Sequence, residues 1–247
     1  MFSRIGRHKE KAKVPAQRRR FYEAICAGGK LLDVGCLGFA EVLRAECLGR
    51  NDIQHSGVDY MPPETGDIPP GFDFRQANLA REGLPFPDDS FDAVVASHVV
   101  EHIADPISLL RECVRVCKPG GMIYVEAPSE RSLLLPGMPF DHKMFYSLSF
   151  YDDPTHISRP WTPQSFYRLS CYLGCRPLET AHLSSWKHLL ALLLVLPWIL
   201  LTRNGKRLEH LCWCAFGWSC YVLLQKPPES RGDLGFHYFV PAARLQS

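Results

Sequence analysis

The chain has 247 residues, 46% of them apolar and 22% charged, with a net charge of +2. That is enough to bury one full globular core, and nothing in it calls for a second domain. A balance so near neutrality, without an aromatic-basic stripe, also argues against a nucleic-acid partner. The first twenty residues carry eight Lys or Arg against one Glu and lack the apolar stretch of a signal peptide. They are expected to form a basic arm, and export is not expected. Ten cysteines form no C-x-x-C pair, and most, such as Cys36, Cys113 and Cys220, sit among apolar neighbours. They are therefore expected to be reduced thiols in a cytoplasmic protein.

From Lys30 onward, strand and helix patterns alternate, which predicts a parallel sheet covered by helices on both faces. The expected strands are Leu31–Val34, Gln54–Asp59, Phe72–Gln76, Phe91–Ser97, Met122–Ala127, Arg176–His182 and Ser219–Gln225. Ile107, Leu109, Leu110, Cys113, Val114 and Cys117 give a helix ended by Lys118-Pro119-Gly120-Gly121. Thr162-Pro163 supplies a cap and a first-turn proline for a second helix, with Phe166, Leu169, Tyr172 and Leu173 facing inward. The main domain is expected over residues 21–230, with a C-terminal tail over 231–247.

The segment KLLDVGCLG, residues 30–38, has the layout of a nucleotide-type cofactor site. A buried strand delivers Gly35 and Gly38 to a turn where missing Cβ atoms let backbone approach a ligand. Asp59 closes the next strand and is placed to accept hydrogen bonds from ribose hydroxyls. Leu37 and Phe39 occupy two of the three places of a strict G-x-G-x-G spacing, so Leu37 predicts a different turn or weaker cofactor affinity. LPFPDDSFDAVVASHVVEHIADP at 84–106 and LLRECVRVCKPGGMIYVEAP at 109–128 then follow in order. This series resembles the class I S-adenosylmethionine (SAM) dependent methyltransferases, from about Lys30 to Glu179 and loosely on to a last strand at Ser219–Gln225. DPTHISRPWTP at 153–163 resembles members that accompany glycan and lipid biosynthesis.

The resemblance implies an α/β fold, a Rossmann-like seven-stranded sheet with helices on both faces. It implies SAM as cofactor, with Asp33, Gly35, Cys36 and Gly38 at the methionine part and Asp59 at the ribose. Tyr60, Asn78, Leu79 and Ser97 would line the rest, Asn78 standing where the family usually has an aspartate near the adenine amino group. Methyl transfer needs little from the enzyme beyond positioning the acceptor and, for a hydroxyl, removing its proton. A histidine suits that task. His156 is the first choice, followed by His98 and His142, with Asp153 orienting an acceptor or ligating a metal and Arg159 available to an anionic group. His98-Val99-Val100-Glu101-His102 also spells H-x-x-E-H, but Asp105-Pro106 ends the segment after about a turn, too short for the zinc peptidase helix. No metal is expected from it, and Glu101 and His102 are read as structural.

The stretch His188–Leu201, HLLALLLVLPWILL, is nearly all apolar, yet its fourteen residues fall short of the roughly twenty that cross a bilayer. Pro197 is expected to break it. It lies in an insertion over 185–218, where two strands need only a short hairpin. With Arg203, Lys206 and Arg207 after it and the basic arm, it reads as a peripheral anchor on an anionic membrane; a lid or homodimer interface is the equal alternative. The activity expected is methyl transfer to oxygen of a small-molecule, glycan or lipid-linked acceptor. The rival is an inactive methyltransferase-like scaffold at a membrane surface; a nicotinamide dehydrogenase fits LPFPDDSFD and KPGG less well.

Overall fold

The computed structural model describes residues 14–64, 66–140 and 146–228. Most of the basic arm, His142 and the expected tail at 231–247 lie outside the described residues. Seven strands form one sheet in the order β3-β2-β1-β4-β5-β7-β6. They are β1 (Lys30–Val34), β2 (Gln54–Asp59), β3 (Asp73–Gln76), β4 (Phe91–Ser97), β5 (Cys117–Pro128), β6 (Arg176–His182) and β7 (Ser219–Gln225). All neighbours pair in parallel except β7, which runs antiparallel to both β5 and β6. The expected strands are all present. β5 starts earlier than expected, because Cys117 pairs with Phe91 before the register shifts ahead of Ala93 and Met122.

Successive strand residues feed opposite faces, as a fully covered sheet requires. Leu32, Val94, Ala96, Ile123 and Val125 join one core under α3 (Pro106–Val116) and α4 (Pro163–Tyr172). Leu31, Ala93, Val95 and Tyr124 join the other, under α1 (Ala16–Glu23) and α2 (Ala40–Cys47). Asp105 caps α3 by accepting the Ser108 amide at 3.0 Å, with Pro106 in the first turn. Thr162 and Ser165 form a reciprocal cap on α4, as the Thr-Pro start predicts. Tyr172 departs from the expected inward face: it is exposed, and its hydroxyl accepts from Arg111 at 2.6 Å. α1 begins inside the expected basic arm, and Arg18, Phe21, Tyr22 and Ile25 lie on its buried side.

Between β6 and β7 stand two helices, α5 (Trp186–Thr202) and α6 (Gly205–Phe216). α5 runs through Pro197 rather than breaking there. Leu192 and Ile199 pack against Leu208, Leu211 and Cys212 of α6, which holds the helix together around the lost backbone bond. Among the described residues, no helix is long and apolar enough to cross a membrane. All ten cysteines are free, although Cys26 and Cys47 are exposed rather than buried.

Candidate active site

Strand order reverses between β1 and β4, and in such sheets the ligand crevice opens outside the carboxyl ends at that point. β1 delivers its turn there. Gly35 has φ +80°, and a Cβ built on it would lie 2.2 Å from Val99 Cγ2. Gly38 has φ +83°. Leu37 keeps an ordinary backbone and turns its side chain outward, while Phe39 takes the left-handed conformation instead, at φ +51°. Phe39 is fixed edge-on against Phe72 at 4.9 Å. Leu37, like Cys36, therefore sits where a side chain causes no backbone strain, and the left-handed position of the altered turn falls on Phe39.

Asp59, at the tip of β2, accepts the Leu37 amide at 3.3 Å and the Met61 amide at 3.1 Å, so it ties both turns together at the mouth of the crevice. Tyr60 is exposed beside it, Asn78 accepts the Ala80 amide at 3.1 Å, and Leu79 packs on the core. Cys36 is buried against Gly57, and burial, with Asp33 and Asp59 nearby, pushes its thiol up to about 12. Asp33 is also buried, and desolvation followed by the nearby Glu41 holds its carboxyl well above the ordinary range.

Across the crevice lies a charged network that the sequence reading missed. Arg18, 2% exposed, donates to Glu41 at 3.1 Å, Ser97 Oγ at 2.7 Å and Glu126 at 3.3 Å, and stacks 3.9 Å above the Tyr124 ring. Ser97 is thus engaged by a cation rather than left free. Glu41 also accepts from Arg44 and from the Tyr22 hydroxyl. Glu126 binds His98 Nε2 at 3.3 Å while Glu101 binds His98 Nδ1 at 3.1 Å. Burial opposes charge on His98, but these two carboxylates outweigh it and push the imidazole up to about 10. Burial would likewise raise Glu126, yet His98 and Arg18 hold it at about 2. His98 has φ +56° and stacks on Trp213 at 6.1 Å. Charged at neutral pH with both ring nitrogens donating, it is a positioning group and not a free base, contrary to its second place among the expected bases.

After β4, Val100–His102 form a single 3-10 turn, so the two histidines of H-x-x-E-H do not share a long helical face. The loop after Asp152 docks on this turn: the Ile157 and Ser158 amides both donate to the Glu101 carbonyl at 3.0 Å. His156 is brought to His102, ring centres 4.9 Å apart. Its Nδ1 faces the Phe150 carbonyl at 2.6 Å, and its Nε2 lies 3.8 Å from Asp153. Arg159 is exposed, with its guanidinium 5.1 Å over the centre of the Trp161 ring.

This fold, with its crevice and its acid across a glycine turn, has the layout of a nucleotide-type cofactor site in an α/β sheet. Residues 32–125 match the family described as a methyltransferase domain. Over 116 residues the chain is 38% identical to a probable SAM-dependent methyltransferase of Mycolicibacterium smegmatis, covering 45% of this chain and 42% of that one. It is 35% identical to the human mitochondrial ubiquinone biosynthesis O-methyltransferase over 116 residues, 43% of this chain and 30% of that one. A SAM-dependent methyltransferase structure from Archaeoglobus fulgidus superposes with a TM-score of 0.56 at 22% identity, covering 85% of this chain and 92% of that one. The matched stretch spans less than half of each of those two curated relatives. Residues 32–125 thus carry a methyltransferase domain similar to that of SAM-dependent methyltransferases.

Proposed function

We propose that the protein moves the methyl group of SAM to an oxygen of a small-molecule, glycan or lipid-linked acceptor. The observation that carries this reading is the turn at Gly35 and Gly38, kept open by left-handed backbone and faced by the Asp59 carboxylate at the sheet's switch point. The cradle fits the cofactor: Gly35 and Gly38 hold left-handed backbone in the turn, open space lies beside Gly38, and Asp59 is an acceptor where paired ribose hydroxyls would donate. Asp33, Gly35 and Gly38 hold the methionine part, Asp59 the ribose, and Tyr60, Asn78 and Leu79 the adenine side. Bound there, SAM would supply its sulfonium methyl as the electrophile, with the acceptor oxygen displacing the thioether sulfur, which would keep the electron pair of the broken C–S bond, and giving up its hydroxyl proton.

The chain's own residues orient the acceptor and ease loss of that proton. His98, held between Glu101 and Glu126, fixes the floor of the site between cofactor and acceptor. His156, whose Nε2 is the nitrogen left free by Phe150, assists proton loss with Asp153 beside it. The name of the human relative, an O-methyltransferase, supports oxygen as the acceptor atom. α5 supports a lipid-associated setting, because Leu189, Leu190, Leu193, Leu194, Trp198 and Leu201 face solvent. Burying each in a membrane interface would contribute about 1.5–3 kcal/mol.

The test is to incubate the protein and methyl-labelled SAM with an extract of the source cells, separated into lipid and aqueous fractions. The expected result is one labelled product bearing a methyl ether, lost with Asp59→Ala. Bound SAM with no label transferred to any fraction would overturn the reading.

A further inference from the structure

We propose that Glu101, His102 and His156 form a binding site for one divalent transition-metal cation of the zinc type. One ligand atom from each of the three lies within 4.8 Å of the other two. Two separate stretches build this cluster, the turn after β4 and the loop at 153–158, and the paired amide bonds to the Glu101 carbonyl lock them together. It is not an accident of one flexible segment.

The second observation is Glu101 itself. The residue is 1% exposed, its Oε1 is taken by His98, and its Oε2 is buried with no hydrogen-bond partner. A carboxylate oxygen removed from water and left unpaired is costly, and a cation is the partner that such an atom fits.

The hydrogen bonds around the two imidazoles settle where their lone pairs are. The Thr155 hydroxyl has a single proton, which it donates to Asp153 Oδ1 at 2.6 Å. It can therefore only accept from His102 Nδ1, 2.9 Å away, and the Thr155 carbonyl accepts from the same nitrogen at 3.2 Å. His102 Nδ1 thus carries a hydrogen, which leaves Nε2 as the nitrogen available to a metal. At His156, the Phe150 carbonyl 2.6 Å from Nδ1 requires a donor there, so Nε2 is again the available nitrogen. Each ring is oriented by a backbone carbonyl at Nδ1, the outer-shell arrangement of metal-ligating histidines. Asp153 Oδ2, 3.8 Å from His156 Nε2, offers a further oxygen. Two imidazole nitrogens and a carboxylate favour zinc, cobalt or iron over magnesium, which demands oxygen ligands.

The position gives the cation a task, which rests on the methyl-transfer reading above. Val99, two residues before Glu101, packs directly on Gly35 of the cofactor turn. A cation here would bind the acceptor hydroxyl oxygen and lower its pKa, so that the proton leaves to Asp153 or water and the oxygen is left as the nucleophile. His156 then serves proton loss through the cation, as a ligand.

The test uses full-length protein freed of metal by chelation and titrated with cobalt chloride, followed by visible absorption, and with zinc chloride by calorimetry. One equivalent is expected, and magnesium should not compete. Glu101→Gln, which keeps the side chain's volume, and His102→Ala should each weaken binding by more than about 100-fold, and Thr155→Val by about 10-fold. His210→Ala provides the control, because His188, His210 and Cys214 form the other metal-competent cluster among the described residues. Thermal unfolding of each variant shows that it is folded. SAM calorimetry on the metal-free protein separates the two readings. Cobalt bound through His102 without SAM binding would support the site and overturn the methyl-transfer reading. SAM bound by a protein that takes no cobalt, or cobalt lost with His210→Ala and retained with His102→Ala, would overturn the site.

Discussion

Around the β1–β4 crevice the protein buries charge, whereas in the α5–α6 hairpin it leaves leucine in water. Arg18, Glu41, Glu126 and Glu101 are all out of contact with solvent or nearly so, each held by named partners at fixed distances. The hairpin buries Leu192 and Ile199 on its inner side and leaves Leu194 and Leu201 74% and 85% exposed. Buried charge specifies geometry at a cost in desolvation, and exposed leucine costs little until it finds a surface. The first region therefore fixes the chemistry, and the second is free to set where that chemistry occurs. They meet at one place, where Trp213 of α6 lies flat on Trp218 at 4.0 Å and both face His98.

The buried network breaks most easily at Arg18. Arg18→Met removes the cation that faces Glu41, Ser97 and Glu126 while keeping much of the volume over Tyr124. Stability is expected to fall by up to about 3–5 kcal/mol, because two buried carboxylates each lose a cation, Glu41 keeping only Arg44 and Glu126 only His98. Urea unfolding measures it, and a loss below about 1 kcal/mol would mean that the network does not support the site. Next in size, Ile199→Ala should cost about 2–4 kcal/mol, since Ile199 is fully buried between the hairpin helices.

A smaller effect concerns pH. Asp33 holds its proton above the ordinary carboxylate range in the free protein, through burial and then Glu41. With Asp33 at the methionine part as proposed, the ammonium of SAM would favour the ionised form, so binding should release a proton. Affinity is then weakest where Asp33 is protonated and rises with pH through its raised pKa, by up to about tenfold per pH unit. Calorimetry in buffers of different ionisation enthalpy reads the proton directly, and a binding enthalpy indifferent to buffer would refute it. Smallest is the effect of Leu201→Ser on stability, within about 0.5 kcal/mol. The same change should still reduce co-sedimentation with vesicles containing anionic lipid; undiminished binding would remove the hairpin as the contact.

The strands were legible because both faces of the sheet are covered, which leaves unbroken apolar runs such as Phe91–Ser97 between turn residues. The placement of Gly35 in the turn after β1 and of Asp59 at the tip of β2 was legible because each closes a buried apolar run. The detail of the turn around Leu37 was not legible, since only the backbone shows that the left-handed position had moved to Phe39. Arg18 reads in sequence as part of a basic run. Its spacing to Phe21, Tyr22 and Ile25, which places all four on one helical face, was the available signal. For the meeting of Glu101 and His102 with His156 there was no local signal. Fifty-four positions separate His102 from His156, and only the docking of the 153–158 loop brings them together.

The most direct measurement is SAM calorimetry on the wild type and on Asp59→Ala. One equivalent of SAM should bind the wild type, and Asp59→Ala should weaken it by about 10- to 150-fold, the worth of hydrogen bonds to a charged group at 1.5–3 kcal/mol. No binding by the folded wild type, or equal binding by Asp59→Ala, would contradict the assignment of the crevice at β1 and β2 as the cofactor site.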